Sequence, residues 1–291
     1  MTRAEFFFTP FAMILIADSG TTKTDWRAFG ESGESKILRT EGINPVFQSP
    51  EMLDGILAEN VKPHVSDVSK IYFYSAGVAA SHEATAALLA AFGRNFPNCS
   101  FFVETDKLGA ARALCGHSAG IACIMGTGSN SCFYDGEKIT DNNVGGGFIL
   151  GDEGGGASLG RRLISDFIRN LLPERVSAEL RSRFGLDYFK IIDNVYKRPM
   201  PNRWLASFSP FIEEFLSDPY ICEMVDSQFE SFIRRNVLRY DVAKYPMNAV
   251  GSVGACFSEN LARAAERTGV RIGRVIKSPI DSLVEFHSAD L

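Results

Sequence analysis

The sequence predicts an α/β fold in two domains, and three observations carry the prediction. At 291 residues the chain is long for a single hydrophobic core, so two domains are the natural division. A strand, a Gly/Thr-rich turn and a second strand occur together twice, at 14–29 and at 121–134. Around these hairpins, short apolar runs alternate with segments of helical spacing, the pattern of sheets covered by helices. Each hairpin opens one domain, and the two turns are expected to face each other across a cleft.

In chain order, Met13 to Ala17 is a continuous apolar run, the mark of a buried strand. It leads into Asp18-Ser19-Gly20-Thr21-Thr22-Lys23-Thr24-Asp25, and Trp26 to Phe29 returns as a second strand. The turn offers backbone N–H groups and hydroxyls together, a combination that suits a phosphate. It is not a Walker A loop, because GxxxxGK[ST] is absent. Ile37-Leu38 suggests a third strand, and a helix is expected from about 49 to 60. Between them, Asn44 precedes Pro45, which holds its backbone extended and lets its amide project from a loop.

Lys70 to Ser75 reads as a strand, followed by a small-residue turn and a helix from about His82 to Phe92. Phe101 to Glu104 is the next strand, and Thr105-Asp106 opens an alanine-rich helix to Leu114. Asp106 thus stands where a strand ends and a helix begins, as an N-cap or as a carboxylate kept ionised and aimed. Ile121 to Met125 is a buried strand feeding Gly126-Thr127-Gly128-Ser129-Asn130, and Cys132 to Tyr134 returns to the hairpin signal Asp135-Gly136. After a glycine-rich stretch come a helix over 157–172 and further helices over 176–239, in which no chemistry is legible. Ala249-Val250 then leads into Gly251-Ser252-Val253-Gly254-Ala255 and a helix to about Thr268, a seat for a nucleotide. Val275-Ile276 and a helix begun by Ser278-Pro279 complete the chain.

The stretch 141–160 holds eight of the chain's 26 glycines. Glycine loses the most backbone entropy on folding, so such density persists where main chain must turn tightly or approach a ligand closely. A flexible linker would be polar throughout. This one carries Phe148-Ile149-Leu150, an apolar plug expected to be buried, beside the acidic pair Asp152-Glu153.

Bulk composition narrows the function. The formal net charge of −5 argues against a nucleic-acid surface, which would need a basic face. No apolar run reaches about 18–20 residues, so no membrane-spanning helix is expected. Cys99, Cys115, Cys123, Cys132, Cys222 and Cys256 are scattered, without a CxxC or a histidine at metal spacing. They read as small buried apolar residues in a reducing, cytoplasmic compartment. Residues 1–12 read as an upstream extension: Thr9-Pro10 breaks the apolar run that would otherwise imitate a signal peptide.

The segments DSGTTKTD, TDKLGAARA, GTGSN, GGGFILGDEGGGASLG and GSVGA stand in this order from Asp18 to Ala255. Together they resemble the N-acetylglucosamine kinase family within the sugar kinase, heat-shock chaperone and actin superfamily. The resemblance implies two ribonuclease-H-like (actin-like ATPase) domains that close on ATP, Mg²⁺ and a sugar. The domains would be 13–116 and 117–277, the second with a helical insertion at about 157–245, and a C-terminal helix at 278–291 would pack back on the first. A homodimer is the expected assembly, with neither nucleic acid nor membrane as partner.

Carried over by position, the resemblance makes Gly20, Thr21, Thr22 and Thr127 contacts of the ATP phosphates, with Gly251 and Ala255 bracketing the adenosine. Asn44, Ser129, Asn130, Gly145, Gly146, Gly147 and Asp152 would line the sugar, and Asp106 would match the catalytic aspartate. Asp18 and Asp152 are the carboxylates that would orient the water shell of Mg²⁺. Family members often carry a bulky aromatic where this chain has Gly146, so either the pocket is wider or Phe148 supplies the wall. N-acetylmuramic acid, glucosamine and glucose therefore stand beside N-acetylglucosamine as substrates. An activator ATPase would need clustered cysteines for an iron–sulfur cluster, and a sugar-binding regulator would usually carry a basic helix-turn-helix; neither feature is found.

Overall fold

The computed structural model describes residues 13–20, 22–30, 35–78 and 81–288. Residues 1–12 and Thr21 lie outside this range, and with them the expected N-terminal extension and one expected phosphate contact. The chain divides into two compact units, Met1–Ala113 with Pro279–Leu291, and Leu114–Ser278.

The first unit is built on a sheet of β1 (Met13–Ser19), β2 (Lys23–Phe29), β3 (Ser35–Glu41), β4 (Val68–Ser75) and β5 (Ser100–Thr105). Its order is β3-β2-β1-β4-β5. β1 pairs antiparallel with β2 and parallel with β4. Residues 13–17 of this central strand are all buried, so both of its faces are covered, which is why they read as an unbroken apolar run. Helices α1 (Pro50–Ile56), α2 (His82–Asn95) and α3 (Asp106–Cys115) follow β3, β4 and β5 respectively. Leu15, Trp26, Phe73 and Phe92 form the centre of the core. The C-terminal helix, here numbered α13 (Ile280–Ser288), belongs to this unit. Arg27 Nε donates to its Asp281 at 3.0 Å, and Tyr74 Oη lies 2.7 Å from Nε2 of its His287.

The second unit repeats the scheme. β6 (Gly120–Met125), β7 (Ser129–Tyr134), β8 (Ile139–Asn142), β9 (Met247–Val250) and β10 (Ile272–Ile276) form a sheet of order β10-β9-β6-β7-β8. Read from the other edge, this is the arrangement of the first sheet, strand for strand. The repeated hairpin in the sequence is thus the visible part of a duplicated five-stranded unit. Between β8 and β9 the second unit carries α4 (Gly147–Leu150), α5 (Gly156–Ile168), α6 (Glu174–Phe184), α7 (Tyr188–Ile192), α8 (Pro201–Ala206), α9 (Ser209–Glu214) and α10 (Pro219–Phe232). These helices bury Phe208, Phe211, Phe229 and Phe232 in one core with Met125 of the sheet. No helix among the described residues is long and apolar enough to cross a membrane.

Three local expectations are corrected. The plug at 148–150 is a single helical turn, α4, with Ile149 68% and Leu150 83% exposed. One turn can present only one side to a core, and Phe148 takes it. β8 was not anticipated, because Ile139-Thr140-Asp141-Asn142 is mostly polar, as befits an edge strand. The helix expected to run to Thr268 is divided at Phe257 into α11 (Ser252–Cys256) and α12 (Ser258–Thr268).

α5 crosses α8 at Gly160, where a Cβ would stand 1.9 Å from the Leu205 carbonyl oxygen. Gly93 in α2 has nothing within 4 Å of the same position. Gly160→Ala should therefore lower stability by about 3 kcal/mol through overpacking. Gly93→Ala should be neutral or stabilising by up to about 1 kcal/mol. Urea unfolding midpoints of the two variants check the contrast.

Candidate active site

In units of this topology, ligand groups gather where strands end and loops begin. In the first unit the carboxyl ends of β1, β4 and β5 and the start of β2 bring Asp18, Ser75, Asp106 and Lys23 to one edge of the sheet. The turn joining β1 to β2 is closed by Gly20 N donating to Lys23 O at 3.0 Å, and Thr22 is exposed on it.

Beside the turn, three buried hydroxyls hold the backbone of one residue, Ile43. Ser19 Oγ lies 2.9 Å from both the N and the O of Ile43. Thr24 Oγ1 accepts from Ile43 N at 3.2 Å, and Ser75 Oγ donates to Ile43 O at 2.9 Å. Asn44 follows directly and is buried rather than projecting. Its Oδ1 accepts from Val46 N at 3.0 Å, an Asx turn, and its own N–H donates to Gln48 Oε1 at 2.8 Å. Those bonds leave the side-chain NH₂ as the group Asn44 can offer to a ligand.

Asp106 is the first residue of α3, but Thr105 does the capping, its Oγ1 accepting from Leu108 N at 3.2 Å. Asp106 accepts from Lys107 N at 2.8 Å. The helix start does not keep it as acidic as expected: burial raises its pKa, and the Lys107 backbone and charge only partly oppose this. Asp18 goes further. Burial, then the charges of Asp106 and Asp25, push it up to about 7, with Lys23 pulling the other way.

In the second unit, two glycine loops run against each other. Gly156 N donates to Gly126 O and Ala157 N to Thr127 O, both at 2.9 Å, and Gly155 N donates to Asp152 O at 3.0 Å. A Cβ on Gly155 would meet the Gly128 backbone at 2.7 Å, so no other residue fits this approach. The loop turns through Asp152 with φ of 56°, an uncommon conformation for a residue with a side chain. Its Oδ1 accepts from Ser129 N at 3.3 Å, and Ser129 Oγ donates to Glu153 O at 2.7 Å. Burial raises the Asp152 pKa, opposed by the Ser129 bond.

Among the described residues, two cavities of this unit lie against the packed loops. A cavity of about 160 Å³ is lined by Ser129, Asn130, Asn143, Val144, Gly145, Gly146, Leu150, Gly151, Asp152, Glu153, Arg235 and Asn236. It gathers five of the residues expected around the sugar; Gly147 does not line it. Gly146 is not simply a missing wall. A Cβ there would stand 2.9 Å from the Leu150 and Gly151 backbone, so the glycine is required by the fold of this loop. A larger cavity of about 420 Å³ is lined by Thr127, Ser207, Ser209, Pro210, Glu213, Ser252, Val253, Cys256 and Phe257, with Ala206. Gly251 and Ala255 do not line it, although their neighbours do. Cys256 is exposed here, against the expectation that every cysteine would be buried.

Arg235, Asn236, Ser209 and Glu213 were invisible in the sequence. All lie in the region 176–239 that had no legible chemistry. Arg235 and Asn236 sit on a π-helical turn, Ile233–Val237, that extends α10. Such turns occur disproportionately at functional sites, but nothing in local sequence marks them.

No protein-family model and no curated protein matches the chain. Solved structures do. A protein from Porphyromonas gingivalis described as a "putative N-acetylglucosamine kinase" is 42% identical, with 96% of this chain and 99% of that one covered and a TM-score of 0.91. A second with the same description, from Chromobacterium violaceum, is 17% identical over 95% of this chain and 99% of that one, with a TM-score of 0.70. MamK in a double helical filament is 12% identical over 96% and 99%, with a TM-score of 0.51. The last two share the fold alone, that of the actin-like ATPases; the first extends the likeness to sequence along nearly the whole of both chains. The chain belongs to the N-acetylglucosamine kinase-like family of the actin-like ATPase fold.

Proposed function

We propose that the protein transfers the γ-phosphoryl group of ATP to a hydroxyl of an amino sugar, converting N-acetylglucosamine to N-acetylglucosamine 6-phosphate. The observation that carries this is the placing of Asp106, raised by burial, close enough to Asp18 to act on its charge at the edge that bears the first Gly/Thr turn. Phosphoryl transfer asks for positioning and charge neutralisation more than covalent chemistry, and this edge supplies a proton acceptor, a turn for phosphates and a carboxylate for a cation. The description of the Porphyromonas gingivalis relative supports the same reaction.

The larger cavity suits the nucleoside. Its volume of about 420 Å³ is that of a small-molecule site. Pro210, Val253 and Phe257 offer apolar walls to a base, and Ser207, Ser209 and Glu213 offer polar edges to a ribose. Ser209 Oγ is buried without a partner among the described residues, an orphan that a ligand would satisfy. Thr127 carries the phosphate end.

The smaller cavity suits a neutral sugar. Asn130 brings a side-chain amide to the lining, with Asn143 bonded to Asn236 and Ser129 Oγ bonded to Glu153 O beside it, groups of the kind that hydrogen-bond to sugar hydroxyls and an acetamide. Arg235 is the cation in this lining, and its Nε lies 3.6 Å from Glu153. A lactyl carboxylate would have to displace Glu153 and approach Asp152 as well, which favours N-acetylglucosamine over N-acetylmuramic acid.

Among the described residues no three His, Cys, Asp or Glu side chains stand together as a metal cage. Mg²⁺ does not require one, being held by one or two carboxylates, waters and substrate phosphates. Asp18, crowded by two like charges, is the carboxylate most in need of a cation, and Asp152 is the candidate in the second unit. When bound, Mg²⁺ would neutralise charge on the β- and γ-phosphate oxygens. Asp106 takes the proton from the attacking hydroxyl.

A coupled ADP-release assay with Mg-ATP over a panel of amino sugars tests the reaction; no sugar-dependent turnover would refute it. Asp106→Asn should lower kcat by about 10²–10⁴-fold, the worth of a general base. Mg-ATP affinity by calorimetry should stay unchanged. Because the base works only when ionised and burial raises its pKa, the acid limb of kcat/KM should lie above the ordinary carboxylate range.

Asp18→Asn tests the charge crowding. In the folded protein Asp18 keeps its proton up to about pH 7, against about 3.8 in an unfolded chain. The folded state therefore binds the extra proton between these values, and stability falls as pH rises through the window. The variant escapes this loss, so its ligand-free melting temperature should exceed wild type at pH 8 by several degrees and match it near pH 4.

A further inference from the structure

Tyr74, near the end of β4, is the register partner of Asp18 on β1 and of Glu104 on β5. It is buried, and α3 lies on it. A Cβ on Gly109 of α3 would stand 2.8 Å from Tyr74 Cγ, so the helix backbone rests on the ring. Arg112 Nη1 donates to the hydroxyl at the far end, Tyr74 Oη, at 2.8 Å. Gly109 and Arg112 are three residues apart and share one side of the helix, so a single side chain holds α3 at two points. Asp106, the first residue of α3, stands three residues before Gly109.

A phenol has one proton to give, and a guanidinium has no acceptor to take it. Burial, only partly opposed by Arg112, pushes the Tyr74 pKa up to about 12, so the hydroxyl keeps that proton. Among the described residues, its second partner is Nε2 of His287 on α13, at 2.7 Å. The proton therefore points at Nε2, and His287 is the neutral imidazole that carries its own proton on Nδ1. The imidazole is buried and stacks on the Tyr72 ring, centroid to centroid 3.7 Å, which fixes its orientation. Phe286 beside it lies 5.3 Å from the Arg112 guanidinium. Simple apolar packing of α13 would need no such polar line, which is costly in a buried place unless each group is satisfied.

We propose that His287 is a positioning residue for Asp106: by accepting the Tyr74 proton it turns the hydroxyl oxygen to Arg112 and fixes where α3 stands on the sheet. Its effect on the reaction rests on the reading of Asp106 as the general base. A misplacement of about 1 Å at a reacting group can cost about 10²-fold in rate, so a bond remote from the chemistry is felt in turnover.

The test uses the full chain. Nitrogen-15 spectra of the wild-type imidazoles should show His287 with Nδ1 protonated and Nε2 bare, the signal being assigned by its loss in His287→Gln. A proton on Nε2 overturns the proposal. His287→Leu removes the acceptor and should lower kcat by about tenfold or more, with the KM for Mg-ATP within about twofold of wild type. His287→Gln sets an amide oxygen near the position of Nε2 and should restore kcat to within about threefold. Tyr74→Phe should lower kcat in the same way, and adding His287→Leu to it should cost little more, as for two residues that act through one bond. Unchanged kcat in His287→Leu overturns the proposal. So do equal losses in the Gln and Leu variants, or losses that multiply with Tyr74→Phe, both of which mark packing alone. Wild type that turns over no sugar would instead sink the kinase reading. The bond would then be judged by amide hydrogen exchange along α3, expected to be about fivefold or more faster in His287→Leu than in His287→Gln. Equal exchange in the two would overturn it.

Discussion

The second unit depends on one close approach, main chain against main chain, between the loop after β6 and the loop before α5. The Gly128–Gly155 contact leaves no room for a side chain on the second of these residues. Two 2.9 Å hydrogen bonds tie the strands of loop together. The seam arranges the residues that these two loops contribute to the unit's cavities. Thr127 is turned toward one cavity, while Ser129, Asn130 and Asp152 are turned toward the other. The cost is a dense run of glycines, each losing more backbone freedom on folding than any other residue would, and one aspartate held at positive φ. Large aromatic side chains, Phe229 and Phe232 among them, enclose the seam from behind.

The first unit solves the corresponding problem by different means. Its turn between β1 and β2 is short, and the loop beside it is pinned by hydroxyls rather than by glycine contacts. Ser19, Thr24 and Ser75 all converge on the backbone N–H and C=O of Ile43. They are buried and satisfied, so they fix Asn44 without exposing apolar surface. The same sheet topology thus carries a charge-bearing edge in one unit and an amide- and glycine-bearing edge in the other. Asp18, Asp25 and Asp106 crowd the first edge, and burial together with the other two carboxylates raises the Asp18 pKa.

Much of this was legible in the residues because the signals are local. The apolar run 13–17, the two Gly/Thr turns and the Asp135-Gly136 hairpin each encode their own geometry within a few positions. The duplicated sheets followed from the repeated hairpin. What escaped depends on contacts distant in sequence. Nothing near Arg235 or Asn236 says that a π-turn will carry them to Glu153, some eighty residues earlier (Asn236 Nδ2 to Oε2, 3.4 Å). Gly146 looked like a truncated side chain until the Leu150–Gly151 backbone was seen against it. Phe148-Ile149-Leu150 looked like core because hydrophobicity alone does not say how many faces a single turn can bury.

The stretch between β8 and β9 supplies Ala206, Ser207, Ser209, Pro210 and Glu213 to one cavity and Arg235 with Asn236 to the other. Each cavity therefore joins residues of the β6–β7 hairpin, Thr127 in one and Ser129 with Asn130 in the other, to residues of the inserted helices. The lining of each cavity can thus change by substitution in the inserted helices while both five-stranded sheets keep their sequence.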